Sequence, residues 1–278
     1  AHAPGDCSGG SDHVAPALDT DRPIRPPTES SLDGDPLMHK EYGDTWVYES
    51  IVGALPGLQL SNTQAVGLQL ALFEVGIAVF ALVYDTSITA ALAGTAAVVV
   101  AGIGSVAMHR LGTANRAAEV PRKYYQLLFG SSIEVVLSVL AFIALITHLF
   151  VFDPQTSGEP LLDSLFGSDP PVVIVYLVLL VAWDLCYRIG TSWWVAVVSL
   201  WRSLTIPCER STARQFMRLD LENVAYAVSQ LLLVPFLLDQ PVLLVAVSGH
   251  VVAVTVVSGL SIWLTRSSAQ PTGVLSTD

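Results

Sequence analysis

The stretch from 171 to 204, PVVIVYLVLLVAWDLCYRIGTSWWVAVVSLWRSL, limits the possible folds more than any other part of the chain. It begins at the Pro170-Pro171 pair and stays apolar from Val172 to Trp183, until Asp184 and Arg188 interrupt it four residues apart. An apolar run of this length reads as a membrane-spanning helix. Residues four apart are neighbours on one helix face, so Asp184 and Arg188 share a side. Lipid solvates neither charge, and both are expected to turn toward other helices or water.

The rest of the chain extends that reading. Hydrophobic residues make up 52% of the sequence and charged ones only 13%, well outside ordinary soluble composition. The net charge is −11, and such acid excess repels nucleic acid phosphates. Residues 1–63 hold ten acids against three bases, Arg22, Arg25 and Lys40. The chain has two Lys against eleven Arg. An acidic, Lys-poor surface fits concentrated salt, where screening removes self-repulsion, and it fits GC-rich coding equally well. The three cysteines, Cys7, Cys186 and Cys208, form no CxxC pair, so no zinc or redox motif is present.

The expected fold is all-α. Residues 1–44, rich in Pro, Gly, Ser and Asp, read as a disordered acidic tail. Residues 45–60 read as a short interfacial amphipathic segment ending near Pro56-Gly57. A six-helix transmembrane domain follows over 61–266, then a short cytoplasmic tail over 267–278. The spans are read at about 63–84, 88–108, 127–152, 172–194, 224–238 and 242–264 from their apolar runs. The second carries small residues at spacing four, Ala93, Ala97, Ala101 and Ser105, and is expected to be central and tightly packed. Loops 109–126 and 195–221 hold the Arg and Lys, and the three opposite loops hold none. Both termini are therefore expected in the cytoplasm and the protein in the cell membrane. Tyr124, Tyr125, Trp193, Trp194 and Trp263 then form an inner aromatic belt. A seven-span reading would split 172–204 at Gly190 and spoil the charge asymmetry.

Five ionisable side chains inside these spans are candidates for a proton or ion site: Glu74, Glu134, Asp184, Arg188 and His250. At a rise of about 1.5 Å per residue, Glu134 and Arg188 fall at one depth in the cytoplasmic third. An Arg188 bridge to both Asp184 and Glu134 is the simplest way to neutralise all three. It would act as a helix lock or as an ion gate. Glu74 has no base at its depth. It is expected to pair with His250, or to hydrogen-bond across helices to Gln230 or Ser248. Outside the spans, Arg210, Arg214 and Arg218 recur at spacing four and read as a basic amphipathic helix on lipid headgroups.

Enzyme motifs are lacking. There is no GxSxG, no HExxH and no GxxxxGK[ST]. No Lys lies in a span, which excludes a retinal Schiff base. No cofactor or metal is expected, and the chain is not expected to be an enzyme. The expected partner is the lipid bilayer, with a homo-oligomer left open. TWVYESIVGALPG, LLFGSSIEVVL, LFVFDP and WDLCYRIGTSWW with VVSLWRS resemble an uncharacterised family of haloarchaeal multi-pass membrane proteins over about residues 44–265. The resemblance implies a membrane protein in high salt and no catalytic residue. The functional reading is a proton- or ion-coupled transporter or channel-like protein. The alternatives are a structural or accessory membrane protein, whose charges only lock helices, and an intramembrane enzyme.

Overall fold

A computed structural model describes residues 62–84, 86–118, 120–156, 158–207 and 209–268. The expected acidic tail, the interfacial segment and residues 269–278 lie outside the described residues. The elements among the described residues are all helical.

Helix α1, Asn62–Val83, exposes Leu68, Leu72, Val75, Val79 and Leu82. Their spacing of three and four makes one outward apolar stripe. Helix α2, Ile88–Arg116, starts where the Ser87 hydroxyl accepts the Ala90 amide at 3.1 Å, an N-cap bond. It packs against α1 and against four later elements, and so occupies the centre. Its glycines allow the close approaches. A Cβ at Gly102 would lie 2.7 Å from Leu70, and one at Gly104 would lie 2.5 Å from Arg188. The helix outruns its expected end at Met108 because its last turns are buried: Leu111 is 0% exposed, and Asn115 accepts the Tyr124 hydroxyl at 2.7 Å.

The expected third span is broken. Helix α3, Arg122–Phe129, ends at Gly130, and α4, Ile133–Thr147, begins after Ser132, whose φ is +54°. Tyr124, Leu128 and Phe129 pack into a core with Leu111, Trp194 and Phe216. That burial holds α3 against one end of the bundle before the chain turns into α4. A π-helical segment, His148–Phe152, and one α turn, Asp153–Thr156, continue α4. A short α5, Leu161–Phe166, leads to the long helix α6, Val172–Thr205.

The 34 residues of α6 run unbroken through Gly190, which removes the seven-span reading and shows that 191–204 extend the helix. Gly190 is a crossing point instead. A Cβ there would lie 2.5 Å from Ser138 Oγ and 2.8 Å from Ser138 N on α4. At about 1.5 Å per residue α6 is roughly 51 Å long, well beyond a hydrocarbon layer of about 30 Å. Its second half is buried, not a loop: Val195, Ala196 and Val198 are core residues.

Helix α7, Arg210–Ser229, continues directly into a 3₁₀ segment, Gln230–Phe236, containing Pro235. Pro235 lacks the amide an α-helix would use, and the last turns tighten. The expected fifth span and the expected basic surface helix are thus one element. Helix α8 is Pro241–Ser268. Ala196, Ala227 and Val254 meet at one level, and Arg202, Asp220 and Ser261 at another. Numbers rise together on α6 and α8 and fall on α7, so α7 is antiparallel to both.

Among the described residues five stretches are long and apolar enough to cross a membrane: Val66–Val83, Ile88–Arg116, Arg122–Thr156, Val172–Thr205 and Pro241–Ser268. The leg formed by α7 and its 3₁₀ segment is not among them, since charges fill the first half of α7. Two members of the expected aromatic belt are core residues, with Tyr124 1% and Trp194 9% exposed. The Trp194 indole donates to the Leu127 carbonyl at 3.2 Å. Trp263, 64% exposed, faces outward.

Candidate functional site: a buried polar seam

Helix α6 carries a polar stripe through an otherwise apolar bundle. Arg188, Ser192, Ser199 and Arg202 recur at helical spacing and are all buried. Asp220, Asn223 and Gln230 form the facing stripe on α7 and its extension, and Ser258, Ser261 and Thr265 that on α8.

The seam begins at Asp184. Arg188 Nη2 donates to Asp184 Oδ1 at 2.6 Å and Nε to Oδ2 at 3.1 Å. This fork geometry is the strongest form of ion pair. The Gln69 amide on α1 donates to the same carboxylate at 3.4 Å. Beside it lies a crevice of about 10 Å³ between α1, α2 and α6, lined by Gln69, Leu70, Phe73 and Asp184, with room for about one water. Arg188 and Tyr226 both lie over Gly104 of α2, which a side chain there would displace.

Further along α6, Ser192 and Asn223 bond reciprocally. The Ser192 hydroxyl donates to Asn223 Oδ1 at 2.8 Å, and Asn223 Nδ2 donates to the Ser192 carbonyl at 3.0 Å. The seam ends in a second ion pair. Arg202 Nη2 donates to Asp220 Oδ2 at 3.0 Å, and both side chains are 1% exposed. The Ser261 hydroxyl donates to the same oxygen at 2.8 Å. The Arg202 guanidinium sits 4.0 Å from the centroid of Phe216, within cation–π range.

The candidates read from the sequence fall in different places. Arg188 pairs with Asp184, as the spacing implied, but Glu134 does not join them. It is 0% exposed, and neither carboxyl oxygen has a hydrogen-bond partner from another residue. Glu134 occupies the first turn of α4, one turn before the Ser138–Gly190 crossing. The two acids do not share the guanidinium because Arg188 is drawn over Gly104 toward α2 and α7. Glu74 does not meet His250, Gln230 or Ser248. Its Oε2 accepts the Thr95 hydroxyl of α2 at 3.0 Å, and its Oε1 is buried without a partner. The reason is topological: α1 packs on α2, whereas α8 packs on α6, α7 and the 3₁₀ segment. The Nε2 of His250 is likewise buried without a partner. Among the described residues no cluster of His, Cys, Asp or Glu could hold a metal ion.

Arg210, Arg214 and Arg218 are exposed on α7. The same helix buries Phe216 and Leu219 in the bundle core, so it packs on the protein. The residues that sequence reasoning missed are Arg202, Asp220, Asn223 and Ser261. Arg202 and Asp220 fall in the expected loop 195–221, Asn223 just before the expected fifth span and Ser261 within the sixth. The spacing of Asp220, Asn223, Ala227 and Gln230, three then four then three, was the available signal.

Fold and seam define a helical bundle of the kind that can cross a membrane several times, with two arginine–aspartate pairs turned inward. Residues 41–261 match a family of unknown function, DUF7530, and the chain belongs to that family. No curated protein and no solved structure matches it.

Proposed function

We propose that the chain is a six-span membrane protein of the cell membrane, with cytoplasmic termini, that couples proton movement to a transport step. One observation carries this reading: Glu134 is wholly buried with no hydrogen-bond partner from another residue, whereas Asp184 and Asp220, the acids of the seam, are each paired with an arginine. Asp184 with Arg188 and Arg202 with Asp220 each form a closed pair. A buried carboxyl without a partner costs about 1–3 kcal/mol, and the dipole at the start of α4 offsets only part of that. A group held at such cost is accounted for by use: it takes and releases a proton. Glu74, half satisfied by Thr95, is the second such group, on another helix.

The outward face of α7 supports the sixth crossing. It changes from Arg214 and Arg218 to exposed Leu221, Ala225, Val228 and Leu232, as a helix does on passing from headgroups into hydrocarbon. From Leu221 to Phe236 the leg measures about 27 Å, at about 1.5 Å per α and 2.0 Å per 3₁₀ residue. Cysteines placed at 212 and 239, at the two ends of this leg, in a cysteine-free background are expected to label from opposite sides, and labelling of both from one side would remove the sixth span.

The coupling is tested by proton flux in liposomes. Wild type is expected to carry a pH-dependent flux that Glu134→Gln and Glu74→Gln reduce at least tenfold while folding normally. Equal flux in wild type and both variants would overturn the reading. The second reading, an accessory protein whose charges only lock helices, is favoured by the two closed ion pairs and by a crevice at Asp184 with room for about one water.

A further inference from the structure

Where the end of α2 meets the start of α7, an open groove of about 530 Å³ is lined by Arg110, Ser211, Arg214, Gln215, Arg218, Leu219 and Glu222. Its floor is fixed. Leu219 is a core residue, and the Gln215 amide donates to the Ala114 carbonyl of α2 at 3.0 Å. Its walls carry three guanidinium groups from two helices against one carboxylate. Arg110 is held by Glu222 at 2.8 Å, in a pair whose side chains are 64% and 31% exposed. Arg210, the first residue of the basic stripe, does not line the groove. The stripe therefore divides into two arginines that converge with Arg110 and one that does not.

We propose that this groove binds the phosphate group of an anionic ligand, between Arg214, Arg218 and Arg110. Guanidinium forks match phosphate oxygens two at a time. Three of them around one carboxylate leave a net positive site with no internal partner for the surplus. Glu222 competes with the ligand for Arg110, so the site tightens when that carboxylate is neutralised. The groove lies where the outward face of α7 turns from Arg218 to Leu221, which points to a membrane lipid headgroup as the source. That part alone rests on the membrane reading above, and phosphate chemistry does not.

The test uses the full-length protein in detergent. Native mass spectrometry compares retention of phosphatidylglycerol and phosphatidylcholine, and calorimetry measures binding of inorganic phosphate. Wild type is expected to retain phosphatidylglycerol at least tenfold more tightly than phosphatidylcholine. Arg214→Gln and Arg218→Gln are each expected to lower that retention about tenfold. Arg210→Gln is expected to leave it unchanged, and Glu222→Gln to raise it. Saturable phosphate binding lost in Arg214→Gln, without selective lipid retention, supports the same site with a soluble phosphate ligand. Equal loss in Arg210→Gln and Arg214→Gln would overturn the proposal, since it would show diffuse charge in place of a site. So would the absence of both lipid preference and phosphate binding. Unchanged thermal unfolding of each variant separates loss of the site from loss of the fold.

Discussion

Removing the Arg202 guanidinium while keeping its bulk is expected to destabilise the bundle sharply. In Arg202→Met the thioether chain still packs on the Phe216 ring, so the change reports charge and hydrogen bonding. Asp220 would keep only the Ser261 hydroxyl, 2.8 Å from Oδ2, at 1% exposure. Leaving one member of a buried pair uncompensated costs about 3–5 kcal/mol. Asp220→Leu would strand the guanidinium instead, with Phe216 beneath it recovering about 1–2 kcal/mol as a desolvated cation–π contact. Its expected cost is therefore smaller, about 2–4 kcal/mol. The double variant Arg202→Met/Asp220→Leu restores an apolar contact and is expected within about 1 kcal/mol of wild type. The coupling between the two positions is then several kcal/mol, far beyond the roughly 0.3–0.5 kcal/mol within which independent sites add. Denaturant unfolding in detergent, followed by tryptophan fluorescence, measures all four corners of the cycle. The cost of Arg202→Met is also expected to be indifferent to added salt, because a buried pair is poorly screened. Additive costs, or a single variant within about 0.5 kcal/mol of wild type, would refute the reasoning.

Three further outcomes follow from the same contacts. Arg188→Ala strands Asp184 at 12% exposure with the Gln69 amide, and is expected to cost about 3 kcal/mol in the same unfolding assay. Gly190→Ala drives a methyl to within 2.5 Å of Ser138 Oγ and 2.8 Å of its backbone nitrogen; it is expected to cost about 1–3 kcal/mol, and Ser138→Ala to recover only part, since the backbone contact persists. Arg110→Ala breaks a pair with one side chain 64% exposed, and is expected to change stability by under about 1 kcal/mol, less at high salt.

How much of this was legible in the sequence depended on which physical rule each element obeys. The start of α6 was readable because Pro171 precedes an unbroken apolar run, and the Asp184–Arg188 contact because it is local, at i and i+4. The central place of α2 was readable from its small residues, which admit neighbouring helices closely. The break at Gly130–Ser132 was not. Hydropathy runs straight through it: the turn is made by the left-handed backbone at Ser132, with φ +54°, while long-range core contacts of Tyr124 and Phe129 hold α3 in place. Arg202 and Asp220 were missed for a related reason: 18 residues separate them. A charge near a helix end reads as a loop residue unless its distant partner is known. The Glu134–Arg188 bridge failed because depth alone was matched. Azimuth decided the outcome, and Arg188 faces Gly104 and Tyr226.

The central claim is that a buried carboxyl at Glu134 exchanges a proton with the membrane surface. Infrared difference spectroscopy on the reconstituted protein tests it directly, by following the carboxyl carbonyl stretch as bulk pH is stepped. The account predicts a carboxyl band in wild type that titrates with pH and is absent from Glu134→Gln. A carboxyl signal that is invariant across the pH range, or identical in wild type and Glu134→Gln, would contradict it.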